Sequence, residues 1–448
     1  MSSMHRLTRA ASVGALAAVC VFTGSARAAE PPPKDVVQQW NQIAENTVIA
    51  AGAFQNEGLI YMAYVSEAVH DAVVAIHGNY RPLNHRIHAP DGALPEAAVV
   101  EAAYQTLRFF LPSQASTLEA AHFEAIAQLG STLAVRDGQR VGEAAADVVI
   151  KKRRRDGRQT PVGVSSTFDR LPAGPGVWRL TPPYALPQTP WVGDVRPFVL
   201  RNVNRFRPAP PPELTSDAWV AQFDEIKLLG KDTSAARTTQ QTAVARFWTA
   251  NVIRQYNRAG RDLARRRALR LVDSARLFAM INVIGADAQI AVMHWKYTFL
   301  FWRPVTAIDP TSVTNDAFGD VPGFDDDNPR TIEEVGWRPL IGTPNHPEYP
   351  AAHGSITSAM ATVFAAAIGS DIIDLDPHGV DPTVPTANLD AVRHFATVDD
   401  LRAEIVNARL WAGLHYRGSS EAGVALGAAV AAYDLRHAFG RRHRDDDE

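Results

Sequence analysis

The chain has one cysteine, Cys20, among 448 residues. It sits in an N-terminal segment with the form of an export signal. Arg6 and Arg9 give a positive start, an apolar stretch runs from about Ala11 to Thr23, and Ala26-Arg27-Ala28 supplies a small-x-small cleavage pattern. Val19 precedes the cysteine, so no convincing lipobox is present. The competing reading of this segment is a disordered or amphipathic N-terminal helix. Cleavage leaves a mature protein without cysteine, which excludes disulfides, thiolate catalysis and Cys-ligated metals. An excess of either charge is lacking too. Lys and Arg total 45 against 48 Asp and Glu, a net charge of −3 that argues against a dedicated nucleic-acid binder. Beyond the N-terminus no apolar run approaches the ~20 residues of a membrane span, so a soluble mature protein is expected. Also missing are a Gly-rich phosphate loop and an HExxH motif. Asp325-Asp326-Asp327 lacks the spacing of a calcium loop and reads as a solvated acidic loop.

With 46% hydrophobic and 21% charged residues, the composition is that of an ordinary globular protein. Apolar residues recur at helical spacing from Asp35 to about Arg155, as in IYMAYVSEAVHDAVVAI, where His70 and Asp71 read as buried and hydrogen-bonded. From about Gly157 to Pro212 the chain turns rich in Pro and Gly, with Trp178, Trp191, Phe198 and Phe206 interspersed. Such a stretch predicts an ordered, extended strap packed on a core. Helical patterns resume near Ser216 and run to Phe301, with a pause near Gly230. Asp309 to Thr343 reads as loop. Further helices are expected over His353–Ile368, Asp399–Leu410 and Ser419–His437. Arg265-Arg266-Arg267 reads as an exposed helix face. No period-2 strand series and no internal repeat appear, so the fold class is all-α: helical bundles with a Pro-rich strap. The expected division is 1–28 signal, 35–157 N-terminal helical region, 158–215 strap, 216–440 helical core and 441–448 charged tail.

Three short blocks carry the chemistry. Lys296 and Arg303-Pro304 lie in KYTFLFWRP, Pro350 and His353 in EYPAAHG, Arg409 and His415 in ARLWAGLHYRGS. They offer three permanent cations and two imidazoles, a set suited to a compact oxyanion such as phosphate or vanadate. Lys296 and Arg303 are seven residues apart, about 700° of helix, and would project from one face. Aromatic neighbours speak against two idle surface cations, because burying unpaired charge is costly. Pro304 should end or kink the helix, placing Arg303 at a mouth. Pro350 can start a new helix, leaving the amides of Ala351, Ala352 and His353 as unpaired first-turn donors. His353 could then exchange a proton with a bound oxygen. Arg409 and His415 would diverge by about 120° on a regular helix, so the helix should end near Gly413. Each block alone is weak, and a lone Arg or His is more often structural. The order of all three is the signal.

Lys-x6-Arg-Pro, Pro-x-x-His and Arg-x5-His resemble the signature of the type 2 phosphatidic acid phosphatase and vanadium haloperoxidase superfamily. HPEYPAAHGS and LHYRGSSEAG are closest to its soluble bacterial haloperoxidase-like branch. The resemblance covers most of the mature chain and implies an all-helical bundle with an oxyanion pocket at one end. It implies vanadate as cofactor, with phosphate as competing ligand, held by His415 and neutralised by Lys296, Arg303 and Arg409, with Ala352 supplying an amide. His353 would be the acid–base group, and His346 with Trp302 would line the halide pocket, a His at 346 resembling bromide-oxidising members. The implied partners are hydrogen peroxide, a halide and a small organic acceptor, and related enzymes often assemble into oligomers. Two departures stand out. Ala351 and Ala352 replace the family's Ser and Gly, which removes a hydroxyl donor. Ser419 stands where the phosphatases carry an Asp, so no carboxylate is expected to support an imidazolium. That favours a vanadate-dependent haloperoxidase over the alternative, an exported acid phosphatase working through a phosphohistidine. A third reading is a non-enzymatic helical protein with a decayed site.

Overall fold

The computed structural model describes residues 35–159, 171, 174–181, 186–313, 315–316, 319–320, 325–381 and 391–442. The signal-like segment with Cys20, part of the strap and most of the charged tail lie outside them. Among the described residues five helices come first: α1 (Val36–Ala50), α2 (Gln55–His77), α3 (Pro95–Phe110), α4 (Ala115–Leu129) and α5 (Leu133–Arg153). Their starts follow side-chain chemistry. Asp35 accepts the Gln38 amide and Thr132 accepts the Val135 amide, each satisfying a first-turn donor. α4 is mostly exposed, with Leu118 its one fully buried residue. His70 Nδ1 lies 3.1 Å from Asp71 Oδ1, and Asp71 accepts the amides of Leu83 and Asn84. Both side chains are therefore buried and structural, as expected.

Among its described residues the strap carries two short 3-10 turns, Pro190–Asp194 and Val203–Phe206. Trp178 is buried, and Trp191, Phe198 and Phe206 pack against the main core. α6 (Asp217–Gly230), α7 (Thr239–Phe247), α8 (Val252–Arg266), α9 (Leu271–Phe299) and the short α10 (Pro304–Ile308) follow. After a long loop come α11 (Ala352–Ile368), α12 (Val398–Trp411) and α13 (Arg417–His437). Among the described residues strands are few and short. β1 (Asn315–Asp316) pairs β2 (Gly319–Asp320), β3 (Ile372–Leu375) pairs β6 (Phe395–Thr397), and β4 (His378–Gly379) pairs β5 (Ala391–Val392), all antiparallel. They tie loops and build no sheet core, so the all-helical class holds. The Asp325–Asp327 loop is more engaged than expected: Asp326 accepts from Trp219 Nε1 and Thr331 Oγ1.

One hydrophobic core runs from α1 to α13, with α9 inside it. α2 and α9 are long and apolar enough to cross a membrane by length and composition, which corrects the expectation of no such run. Scattered polar residues such as Ser66, Asn282 and Asp287 interrupt the run without lowering its average. Those windows are 89% and 94% buried within the protein. A helix apolar all round belongs in a large core as readily as in a membrane. The polar residues pair internally: Asn282 bonds Asn257 and Ser66, and Asn257 bonds Asn41, joining α1, α2, α8 and α9. α11 lies against α13 at backbone distance. A Cβ on Gly427 would fall 1.9 Å from Ser355 O, and one on Gly423 would fall 2.3 Å from Ala351 O. Glycine is required at both, and the contact fixes the start of α11.

Candidate active site

Lys296 stands in the last turn of α9, which ends at Phe299. Leu300 then adopts a left-handed conformation (φ 51°). Phe301 and Trp302 run extended beside the strap, where Trp178 N donates to Leu300 O and Trp302 N to Gly176 O. Arg303 follows as the N-cap of α10, with Pro304 in its first turn. The two cations therefore do not share a helix face, as their spacing suggested. The turn at Leu300 and the strap pairing bring them together instead. Arg303 is fully buried in the wall and not at a mouth, and Lys296 is equally buried.

The segment His346–Glu348 gathers both. Lys296 Nζ donates to Pro347 O and Glu348 O, each at 2.8 Å. Arg303 Nε donates to His346 O at 2.9 Å, and its Nη2 lies 3.0 Å from His346 Nδ1. Arg303 Nη1 donates to Leu414 O at 2.9 Å and faces His415 Nε2 at 3.2 Å. Blocks one and three thus meet directly.

α11 starts at Ala352, with Ala351 as N-cap and Pro350 one residue earlier. The Ala351 amide donates to Ser419 O at 3.0 Å, so it is not a donor for a ligand, contrary to expectation. The amides of Ala352 and His353 remain, since first-turn amides have no intrahelical carbonyl to bond. His353 is partly exposed as a residue, yet its Nε2 is buried without a hydrogen-bond partner. α12 ends at Trp411, close to the expected break. Gly413 takes φ +76°, and a Cβ there would fall 2.5 Å from Gly230 O. That turn carries His415 out of helical phase with Arg409. Arg409 Nη1 donates to Trp248 O at 3.3 Å, while its Nε is buried and unpaired. Trp302 is buried in an aromatic cluster and stacks on Trp219 with centroids 5.8 Å apart.

Burial, then mutual repulsion, sets the protonation of the group. Burial foremost, then Arg303, pushes Lys296 well below its ordinary value. Burial lowers Arg303 to about 10 and, with Arg303 beside it, Arg409 to about 9. His353 is held well below the ordinary histidine range by burial and by Arg409, Lys296 and Arg303. His415 is held low by burial and the same three cations, Arg303 leading. Both imidazoles are neutral at neutral pH. His346 is likewise held low.

Glu348 is the residue the motifs did not single out. It is fully buried, its Oε1 lies 2.9 Å from His415 Nδ1, and its Oε2 has no partner. Burial pushes it up to about 7, against the pull of Lys296 and Arg303. The expectation that no carboxylate supports His415, drawn from Ser419, is therefore overturned. An acid from another loop takes that place. Its sequence signal was an acid set between His346 and Pro350 in an otherwise uncharged stretch.

The donor set suits a tetrahedral oxyanion. Arg409 Nε and His353 Nε2 are buried without partners, and of the three buried cations Lys296 and Arg303 act on the Glu348 carboxylate. Residues 276–443 match the family model described as the VCPO second helical-bundle domain, a range that holds every residue of the site. The vanadium chloroperoxidase of Curvularia inaequalis is 26% identical over 293 residues, 52% of this chain and 47% of that protein. The chain thus spans about half the length of that curated relative. A bacterial vanadium-dependent iodoperoxidase of known structure superposes with a TM-score of 0.72 at 21% identity, over 92% of this chain and 99% of its own. A holo-type bacterial vanadium-dependent chloroperoxidase does so with a TM-score of 0.67 at 18% identity, over 90% and 98%. Residues 276–443 are thus similar to the second helical-bundle domain of the vanadium chloroperoxidases, and the chain shares its overall fold with the bacterial vanadium-dependent haloperoxidases.

Proposed function

We propose that this protein is an exported vanadate-dependent haloperoxidase that oxidises a halide, bromide foremost, with hydrogen peroxide. The observation that carries the reading is the buried meeting of Lys296, Arg303 and Arg409 with two neutral imidazoles, His353 and His415. The three cations would neutralise the oxyanion's oxygens through charge-assisted hydrogen bonds. The first-turn amide of Ala352 would add a donor at a helix start. His415 Nε2 would hold the vanadium, and His353 Nε2, neutral and unpaired, would take a proton from peroxide. Vanadate, when bound, would supply a Lewis-acid centre that activates peroxide toward halide. His346 and Trp302 would border the halide, and the bromide preference rests on a His at position 346. Export rests on the N-terminal segment, and sequencing the mature N-terminus should find it just after Ala28.

Protein loaded with orthovanadate should brominate a test phenol in the presence of peroxide and bromide, and protein stripped of vanadate should not. No bromination by the loaded protein, with vanadate binding demonstrated, would end this reading. Glu348 favours one second reading. A carboxylate on His415 Nδ1 can support a phosphohistidine at Nε2, as the missing Asp at Ser419 cannot. Vanadate-inhibited phosphate release from simple monoesters, measured on the same sample, distinguishes the two.

A further inference from the structure

Glu348 ties all three blocks together through one residue. Its amide donates to Phe301 O at 2.9 Å, beside the first block. Its carbonyl accepts from Lys296 Nζ at 2.8 Å and from Ser419 Oγ at 3.4 Å. Its carboxylate Oε1 accepts the Tyr416 amide at 3.1 Å and lies 2.9 Å from His415 Nδ1. Main chain and side chain are thus both fixed, so the carboxylate has little freedom to leave the imidazole.

The opposite edge of the same ring locates its proton. A guanidinium has donors and no acceptor. Arg303 Nη1, 3.2 Å from His415 Nε2, therefore faces a lone pair. The proton of the neutral ring is on Nδ1 and is donated to Glu348. We propose that Glu348 is the positioning residue that holds His415 in the Nδ1–H tautomer and in one orientation, presenting the Nε2 electron pair to a bound oxyanion. Such carboxylate–imidazole pairs raise ligand basicity and fix ring orientation, and losing the outer partner costs about 10–100-fold in affinity. Vanadate as the ligand is taken from the function proposed above, whereas the tautomer is independent of it.

The first test uses the full chain without added oxyanion. The His415 ring is identified by the NMR signals that disappear in His415→Asn. The wild type should show Nδ1–H alone, with a downfield proton typical of a bond to carboxylate. In Glu348→Gln that proton should move upfield. In Glu348→Ala the single tautomer should be lost, and the Gln variant carries the same readout if the Ala variant does not fold. An Nε2–H ring in the wild type, or an unmoved proton in Glu348→Gln, overturns the proposal. The second test is vanadate affinity by 51V NMR, expected to fall about 10–100-fold in Glu348→Gln. Equal affinity in that variant also overturns it. If the wild type shows the tautomer but binds no vanadate, the haloperoxidase reading fails and the positioning role stands.

Discussion

His353 and His415 stand in the field of the same three cations, yet their surroundings assign them different work. His415 is bracketed: Arg303 faces one nitrogen and Glu348 the other. Its ring cannot turn without breaking both contacts, which suits a ligand. His353 has a buried Nε2 with no partner, and its residue is the more exposed of the two. That suits a group that takes and returns protons. Burial foremost, then the cations, keeps it neutral and so able to accept. As pH falls through its lowered pKa the base is lost, so activity should fall on the acid side. His353→Ala should therefore retain vanadate binding within a few-fold while turnover drops about 10²–10⁴-fold. His415→Ala should lose vanadate binding itself. Equilibrium dialysis with vanadate, alongside bromination rates, separates the two effects. Equal loss of binding in both variants would contradict the division of labour.

Between elements, the site depends on how α11 meets α13. The start of α11 supplies His353 and the amide of Ala352, and its position is set where the helices touch through glycine. Gly427→Ala would put a Cβ 1.9 Å from Ser355 O, a backbone atom that cannot move aside. The helices must separate, at a cost of about 1–3 kcal/mol. That shift should also move the first turn of α11 and weaken oxyanion binding. Gly440→Ala, with nothing within 4 Å, serves as the neutral control. Thermal unfolding and vanadate titration read the two consequences. This contact was not legible in the sequence, where glycines in an Ala-rich stretch resemble any others. Helix ends were legible, because Pro350, Gly413 and the caps act locally. The convergence of Lys296 and Arg303 was legible as a motif and misread as geometry. A seven-residue spacing suggests one helix face, and nothing in the sequence of Leu300 announces a left-handed turn. Glu348 was missed for a related reason: its partner lies 67 residues away, and only the fold brings the loop to His415.

At the scale of the whole molecule, three distant chain segments close around two buried acids. Asp287 of α9 accepts the amides of Phe198, Val199 and Leu200 at 2.6, 2.8 and 2.8 Å, which anchors the strap to the central helix. Asp434 of α13 lies beside it: no N–H or hydroxyl donor reaches either of its oxygens, and the group within hydrogen-bonding reach is the Asp287 carboxyl. Burial foremost, then the Asp287 charge, raises Asp434 well above its ordinary value of 3.8. Asp287 is raised by burial despite its three amides. Two neighbouring carboxyls in a buried site cannot both ionise cheaply, so Asp434 carries the proton. The sign of the linkage follows. Below about pH 4 both folded and unfolded chains hold the proton, and the site costs nothing. As pH rises, the unfolded chain releases it first, so stability falls until the raised folded value is passed. Asp434→Asn removes that dependence. The variant should match the wild type near pH 4 and exceed it at pH 7 to 8. Asp287→Asn should do the opposite, because a neutral amide cannot hold three backbone donors as a carboxylate does, and the strap should loosen at every pH. Denaturant unfolding of both variants from pH 4 to 8 checks the argument. A constant difference for Asp434→Asn across that range would mean that α9 and α13 are not joined by a shared proton.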